Sequence, residues 1–366
     1  MAAVIGVAAA TSLTIAGCSS ANGRVQAQAG TSPSSAASTG GAGSESRATA
    51  STGGASGNLT SPDAVLLGGT GVDAGACLDA NTCLVVASDG LDAWTTDARS
   101  PHPKWTSATE NGHTTPTSLS CPAVSLCVAG DSGGGVDYST HPLQSMQNWS
   151  KVTLDTNMDA NLGNGNQIDD VSCGSQTYCV AVADDGSAYV STDPAAGSWQ
   201  PAGTVQPSDP GGGVSVSCAG TTCLATNAVG YSFLRNGTWV GPSTTTQTSG
   251  VGACVTPSAC LLYGYNSSTN VGGLALLDPS SPQSAPRFRS TSTEGLQSCP
   301  TADLCAGVGT SVINKPVLIY STDPVSNQPT WRQKPVFANA HDVSCSAQLT
   351  CVVTANGEDA AATGVL

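Results

Sequence analysis

Seven closely spaced cysteine couples constrain this chain more than any other feature. The first members are Cys77, Cys121, Cys173, Cys218, Cys254, Cys299 and Cys345. Their partners are Cys83, Cys127, Cys179, Cys223, Cys260, Cys305 and Cys351. Steps between first members are 44, 52, 45, 36, 45 and 46 residues. Around each couple the same text recurs, most clearly from Val171 to Trp199. A short strand ends in a small residue and a Cys, as in Ser172-Cys173, Ser120-Cys121 and Ser344-Cys345. A brief loop follows, and the second Cys opens an apolar strand such as CVAVA or CVVTA. A hairpin dipeptide comes next (Asp89-Gly90, Asp185-Gly186 or Asn356-Gly357), then a third strand, a Ser-Thr-Asp turn, and a Trp that opens a fourth strand.

A repeat near 45 residues with four strand-like segments per unit is the signature of a propeller, and it overrides the two-domain prior for a chain of 366 residues. No segment carries the 3.6-residue period of an α-solenoid. The expectation is an all-β, seven-bladed β-propeller over residues 63–366, with four-stranded blades and one disulfide per blade. The two thiols of each couple sit at facing ends of one hairpin, within bridging distance. The last unit has room for only two strands after Cys351, so Ala64-Val65-Leu66-Leu67 is the expected donor of its fourth, closing the ring.

Composition narrows the function classes. Fifteen cysteines indicate an oxidising compartment, because such couples form a disulfide framework. Spacings of C-x5-C, or C-x4-C once, and four histidines argue against zinc. A net charge of −14 and a pI near 4.3 exclude phosphate-backbone binding to nucleic acid. The chain contains no G-x-S-x-G, H-E-x-x-H or P-loop motif.

The fifteenth cysteine stands apart. Residues 1–17 are apolar and small and end in Ile15-Ala16-Gly17 ahead of Cys18. This resembles the lipobox of a bacterial lipoprotein signal peptide. The resemblance implies cleavage before Cys18, acylation of its sulfur and new amino group, and an extracytoplasmic, membrane-anchored protein whose membrane contact is the lipid alone. Residues 19–62, almost all Ser, Gly, Ala and Thr, lack the apolar bulk for a core and read as a flexible tether.

The turns before the fourth strand carry a second resemblance. Ser191-Thr192-Asp193 with Gly197 and Trp199, Ser321-Thr322-Asp323 with Trp331, and Thr95-Thr96-Asp97 with Trp105 are similar to the Asp-box of sialidase-type (BNR) and sortilin-type propellers. That family implies a fold rather than a site. Its sialidases need several arginines converging from inner strands. Here Arg99, Arg235, Arg287, Arg289 and Arg332 fall in third-to-fourth turns or outer strands. The Trp residues are expected to pack between strands.

Loops of a four-stranded meander alternate between faces. Cysteine hairpins and Asp-box turns share one; the second-to-third turns and unit connections share the other, where a protein or cell-wall glycan ligand is expected. The longest connection carries Asp155, Asn157, Asp159 and Asn161, oxygen ligands of the kind calcium takes. Ala160 and Asn166 break the EF-hand spacing, so the cofactor expectation is none, with calcium here as the alternative. Asp170 and Asp342 occupy equivalent places, three residues before the first Cys, in units across the ring. Two carboxylates so placed are candidates for an acid/base pair on a glycan. The leading expectation is a monomeric, non-catalytic binding or scaffold module; the alternative is a carbohydrate-active enzyme using Asp170 and Asp342.

Overall fold

The computed structural model describes residues 65–66, 72–87, 91–109, 114–155, 167–205, 213–241, 248–266, 271–284, 286–288, 296–311, 315–355 and 360–366. The signal segment with Cys18, the tether, the Asp89-Gly90 and Asn356-Gly357 turns, and Asn157, Asp159 and Asn161 lie outside them.

Seven antiparallel sheets follow one another along the chain. Blade 3 shows the pattern in full: Ile168–Ser175, Tyr178–Ala183, Ser187–Asp193 and Ser198–Thr204, hydrogen-bonded in that order. Blade 5 has three strands among the described residues, Thr248–Thr256, Ala259–Asn266 and Val271–Leu277. Blade 7 joins Ala340–Cys345, Thr350–Ala355 and Ala360–Val365 to Val65–Leu66, with Val65 opposite Ala361 and Leu66 opposite Ala360. The ring is thus closed by the N-terminal strand, as the truncated last unit requires. Helix among the described residues amounts to two single turns, Met146–Asn148 and Pro194–Ala196. The short 36-residue step comes from blade 4, whose outer strand is only Thr238–Val240 after an Asn236-Gly237 turn with both residues at positive φ.

The core is divided among seven wedges, one between each pair of neighbouring blades. This explains the unbroken apolar runs after each second Cys. Along Tyr178–Ala183, Val180 and Val182 pack toward blade 4, whereas Cys179, Ala181 and Ala183 pack toward blade 2. A strand buried on both faces has no need of a polar alternation. Trp149, Trp199, Trp239, Trp331 and Trp105 each open a fourth strand and fill the wedge shared with the preceding blade.

Disulfides join all seven couples, with Cα atoms 3.9 to 4.1 Å apart. Where the hairpins of blades 3 and 4 meet, a side chain is excluded. A Cβ on Gly174 would overlap the Gly220 carbonyl, and the Gly220 N–H donates to the Gly174 carbonyl at 3.1 Å. The seam between blades 7 and 1 has a polar latch on the same side. Arg99 donates from Nε to Thr350 Oγ1 at 3.0 Å and from Nη2 to the Gln348 carbonyl; Thr350 Oγ1 donates to the Ala80 carbonyl at 2.7 Å.

Candidate functional site: the central channel

The innermost strands of all seven blades wall a channel cavity of about 650 Å³. Its wall runs from two or three residues before each first Cys to the loops of the cysteine hairpins. Serine, glycine and other small residues dominate it, with Asp170, Asp342, Gln297 and Gln348 among them; among the described residues, no aromatic side chain and no Lys, Arg or His lines it. The sequence had favoured the opposite face for a ligand. Most connections on that face lie outside the described residues; at the disulfide end, the small hairpin residues Gly174, Ala219 and Gly220 line the cavity.

An innermost strand has one edge without a neighbour, and its N–H groups need acceptors. In five blades the bridged cysteines stand directly opposite each other in the register. At that short Cα separation they form the close kind of antiparallel pair, in which both residues turn N–H and C=O away from the partner strand. The Cys N–H therefore points to the channel edge. The preceding blade caps it with the serine that comes before its own first Cys. The N–H of Cys173 donates to Ser120 Oγ at 2.9 Å, Cys218 to Ser172 at 2.9 Å, Cys254 to Ser217 at 3.0 Å, and Cys345 to Ser298 at 2.9 Å. The recurring Ser-Cys dipeptide is thus an inter-blade staple as well as half of a bridge.

Asp170 and Asp342 both line this cavity. Asp170 is buried and belongs to the same capping system. Its Oδ1 accepts the Val171 N–H at 2.8 Å; its Oδ2 accepts the Ser215 hydroxyl at 3.0 Å and the Val216 N–H at 2.8 Å from blade 4. Neighbouring Asp169 accepts the Val214 N–H at 2.9 Å. Burial pushes the Asp170 carboxyl up to about 8, against the lowering influence of those three donors, with Asp169 adding repulsion. Asp342 repeats the local part of the motif, accepting the Val343 N–H at 2.8 Å. Both carboxyls therefore act on the wall itself. Bonding of these carboxyls to neighbouring backbone was the favoured sequence reading; the reach of Asp170 to Ser215 and Val216 of the next blade was not read from it.

Of the calcium candidates, Asp155 is described. It is buried and accepts the Tyr189 hydroxyl at 3.0 Å. No group of three His, Cys, Asp or Glu among the described residues is arranged to hold a metal ion. Two of the third-to-fourth turns are closed by their acidic residue. Asp323 Oδ1 accepts the Ser321 hydroxyl at 2.8 Å and the Thr330 N–H at 2.8 Å, and Asp97 Oδ1 accepts the Lys104 N–H at 2.8 Å. The Thr330 N–H, followed by the Ser321 hydroxyl, holds the Asp323 carboxyl below its usual range.

Comparison with solved structures places the fold among propellers. A structure of YCF48 bound to D1 peptide is similar over 85% of this chain and 99% of that one, with 15% identity and a TM-score of 0.56. YCF48 from Cyanidioschyzon merolae matches 85% of this chain and 98% of its own at 14% identity, TM-score 0.56. The WD40 repeats of RRP9 match 85% and 99% at 10% identity, TM-score 0.62. At these identities the likeness is one of fold alone. No protein-family model and no curated protein sequence matches the chain.

Proposed function

We propose that the protein is an exported bacterial lipoprotein, anchored through Cys18, whose propeller is a non-catalytic binding module for a polypeptide at the cell surface. The observation that carries this reading is the channel cavity walled by all seven blades, within the 300–1,000 Å³ usual for ligand sites. Its candidate carboxyl, Asp170, is committed to holding two blades together. The peptide-bound YCF48 structure supports a polypeptide ligand, and the acidic turn closures support kinship with Asp-box propellers. The tether of residues 19–62 would carry the propeller away from the membrane.

The enzymatic alternative has one observation in its favour. Asp170 keeps its proton to about pH 8, the state a general acid needs, and shares a cavity with Asp342. Its oxygens are already occupied by three donors, which favours the binding reading.

A photo-reactive benzoylphenylalanine placed at the exposed Ala347, on a cavity-lining hairpin loop, tests the binding reading on intact cells. A discrete polypeptide adduct is expected; adducts with glycan alone would refute it. The anchor is tested separately. Cys18→Ser should move the protein from the membrane fraction to the medium, and full retention on the membrane would remove the lipid from the account.

A further inference from the structure

The channel wall has an imbalance of hydrogen-bonding groups. The edge N–H groups of Val171, Cys173, Cys218, Val216, Cys254, Val343 and Cys345 all have side-chain acceptors. The carbonyl of a residue in the close kind of pair points the same way as its N–H, so the edge carbonyls of the bridged cysteines face the channel. At these positions side chains have taken up the donors of the strand edge, while the cysteine carbonyls still face the channel. The side-chain donors that remain include serine hydroxyls and the Gln348 amide. Ser120, Ser172, Ser217 and Ser298 each receive a Cys N–H, and no acceptor for their own hydroxyl protons stands among the described residues. Asp342 adds a carboxyl to the wall, no Lys, Arg or His among the described residues lines it, and the whole chain carries −14. Such a site favours a donor-rich cation and repels an anion. A glycan would find no aromatic platform to stack on among the described residues of the wall.

We infer that the channel, at its cysteine-hairpin end, is a receptor for a lysine or arginine side chain carried on an extended polypeptide segment. This rests on the polypeptide-binding reading above and adds both place and charge. A cationic head group offers three to five N–H donors to a ring of carbonyls. Its stem and flanking backbone meet the hydroxyls and small apolar residues of the hairpins.

The test uses the oxidised chain and three pools of fluorescein-labelled decapeptides built on the same Ser/Gly/Ala frame. One pool carries a central Lys or Arg, one a central Glu, and one neither. Fluorescence anisotropy at neutral pH and low salt should rank the basic pool at least tenfold tighter than the neutral pool, and the acidic pool weakest. Ala347→Trp plugs the mouth from an exposed position, and its melting temperature serves as the folding control. It should reduce binding of the basic pool at least tenfold. Equal or tighter binding of the acidic pool overturns the inference. Basic-pool binding that survives the plug removes the channel but leaves a polypeptide-binding module standing. If no pool binds, the receptor is refuted, and the cross-link at Ala347 then decides the broader reading separately.

Discussion

Reduction of the seven bridges is expected to unfold the propeller at 25 °C. Each bridge closes a loop of only five or six residues in sequence separation, so chain entropy gives each about 2 kcal/mol. Seven such terms come to about 14 kcal/mol, as large as the whole net stability of an ordinary domain. Little else compensates. The wedges are filled mainly by Val, Ala and Leu, and the chain has only 3 Phe. The second cysteines, Cys83, Cys127, Cys179, Cys223, Cys260, Cys305 and Cys351, are all fully buried in or beside the wedges. Reduction would therefore also leave thiols where the packing is tightest. The measurement is a circular-dichroism melt with and without a phosphine reductant, applied in mild denaturant so that buried sulfurs are reached and then diluted. Loss of the cooperative transition is expected. The double variant Cys121→Ala, Cys127→Ala should stay folded and lose about 2 kcal/mol. A fully reduced protein melting within a few degrees of the oxidised one would show that the wedges alone hold the ring.

The architecture was legible because its determinants are local. A cysteine couple five or six residues apart marks one hairpin, and seven marks at even steps make a ring. The missing last strand and the spare Val65–Leu66 are also readable, since both are matters of counting. What escaped sequence reading depends on how one blade faces the next. Ser120 and Ser172 look merely small beside their cysteines, and only the ring brings Ser120 Oγ to the Cys173 N–H, 53 residues on. Asp170 and Asp342 were matched by position, which was sound. Hydrogen bonding to neighbouring backbone was the favoured role over an acid/base pair across the channel, and Asp170 and Asp342 each accept the N–H of the next residue. Asp170 reaches Ser215 and Val216 rather than the space between. The width of the channel at the hairpin end is likewise a sum over seven blades, and no single repeat reveals it.

Stability should fall as pH rises from 4 to 8, and Asp170 should be the main cause. In the unfolded chain its carboxyl titrates near 3.8; in the folded protein burial raises it to about 8. Below pH 3.8 both states hold the proton and the folded state keeps its full advantage. Between the two values the unfolded chain sheds the proton and the folded one retains it, so each pH unit subtracts up to about 1.4 kcal/mol. Above pH 8 both are ionised and this contribution is gone. Asp184, raised to about 6 by burial and by Asp169 and Asp185, acts in the same direction in the lower half of the window. General repulsion among the acidic residues would also weaken the protein as pH rises, so the slope alone is not diagnostic. Asp170→Asn separates the two. Its amide cannot accept from both the Val171 and Val216 N–H groups, so it should cost about 1–3 kcal/mol at pH 5. The same substitution removes the titration and should flatten the profile between pH 5 and 8, so that variant and parent converge toward alkaline pH. Urea melts at half-unit pH steps measure both effects. An unchanged slope in Asp170→Asn, or a parent that gains stability toward pH 8, would mean that this carboxyl is ionised in the folded ring and that its three donors outweigh its burial.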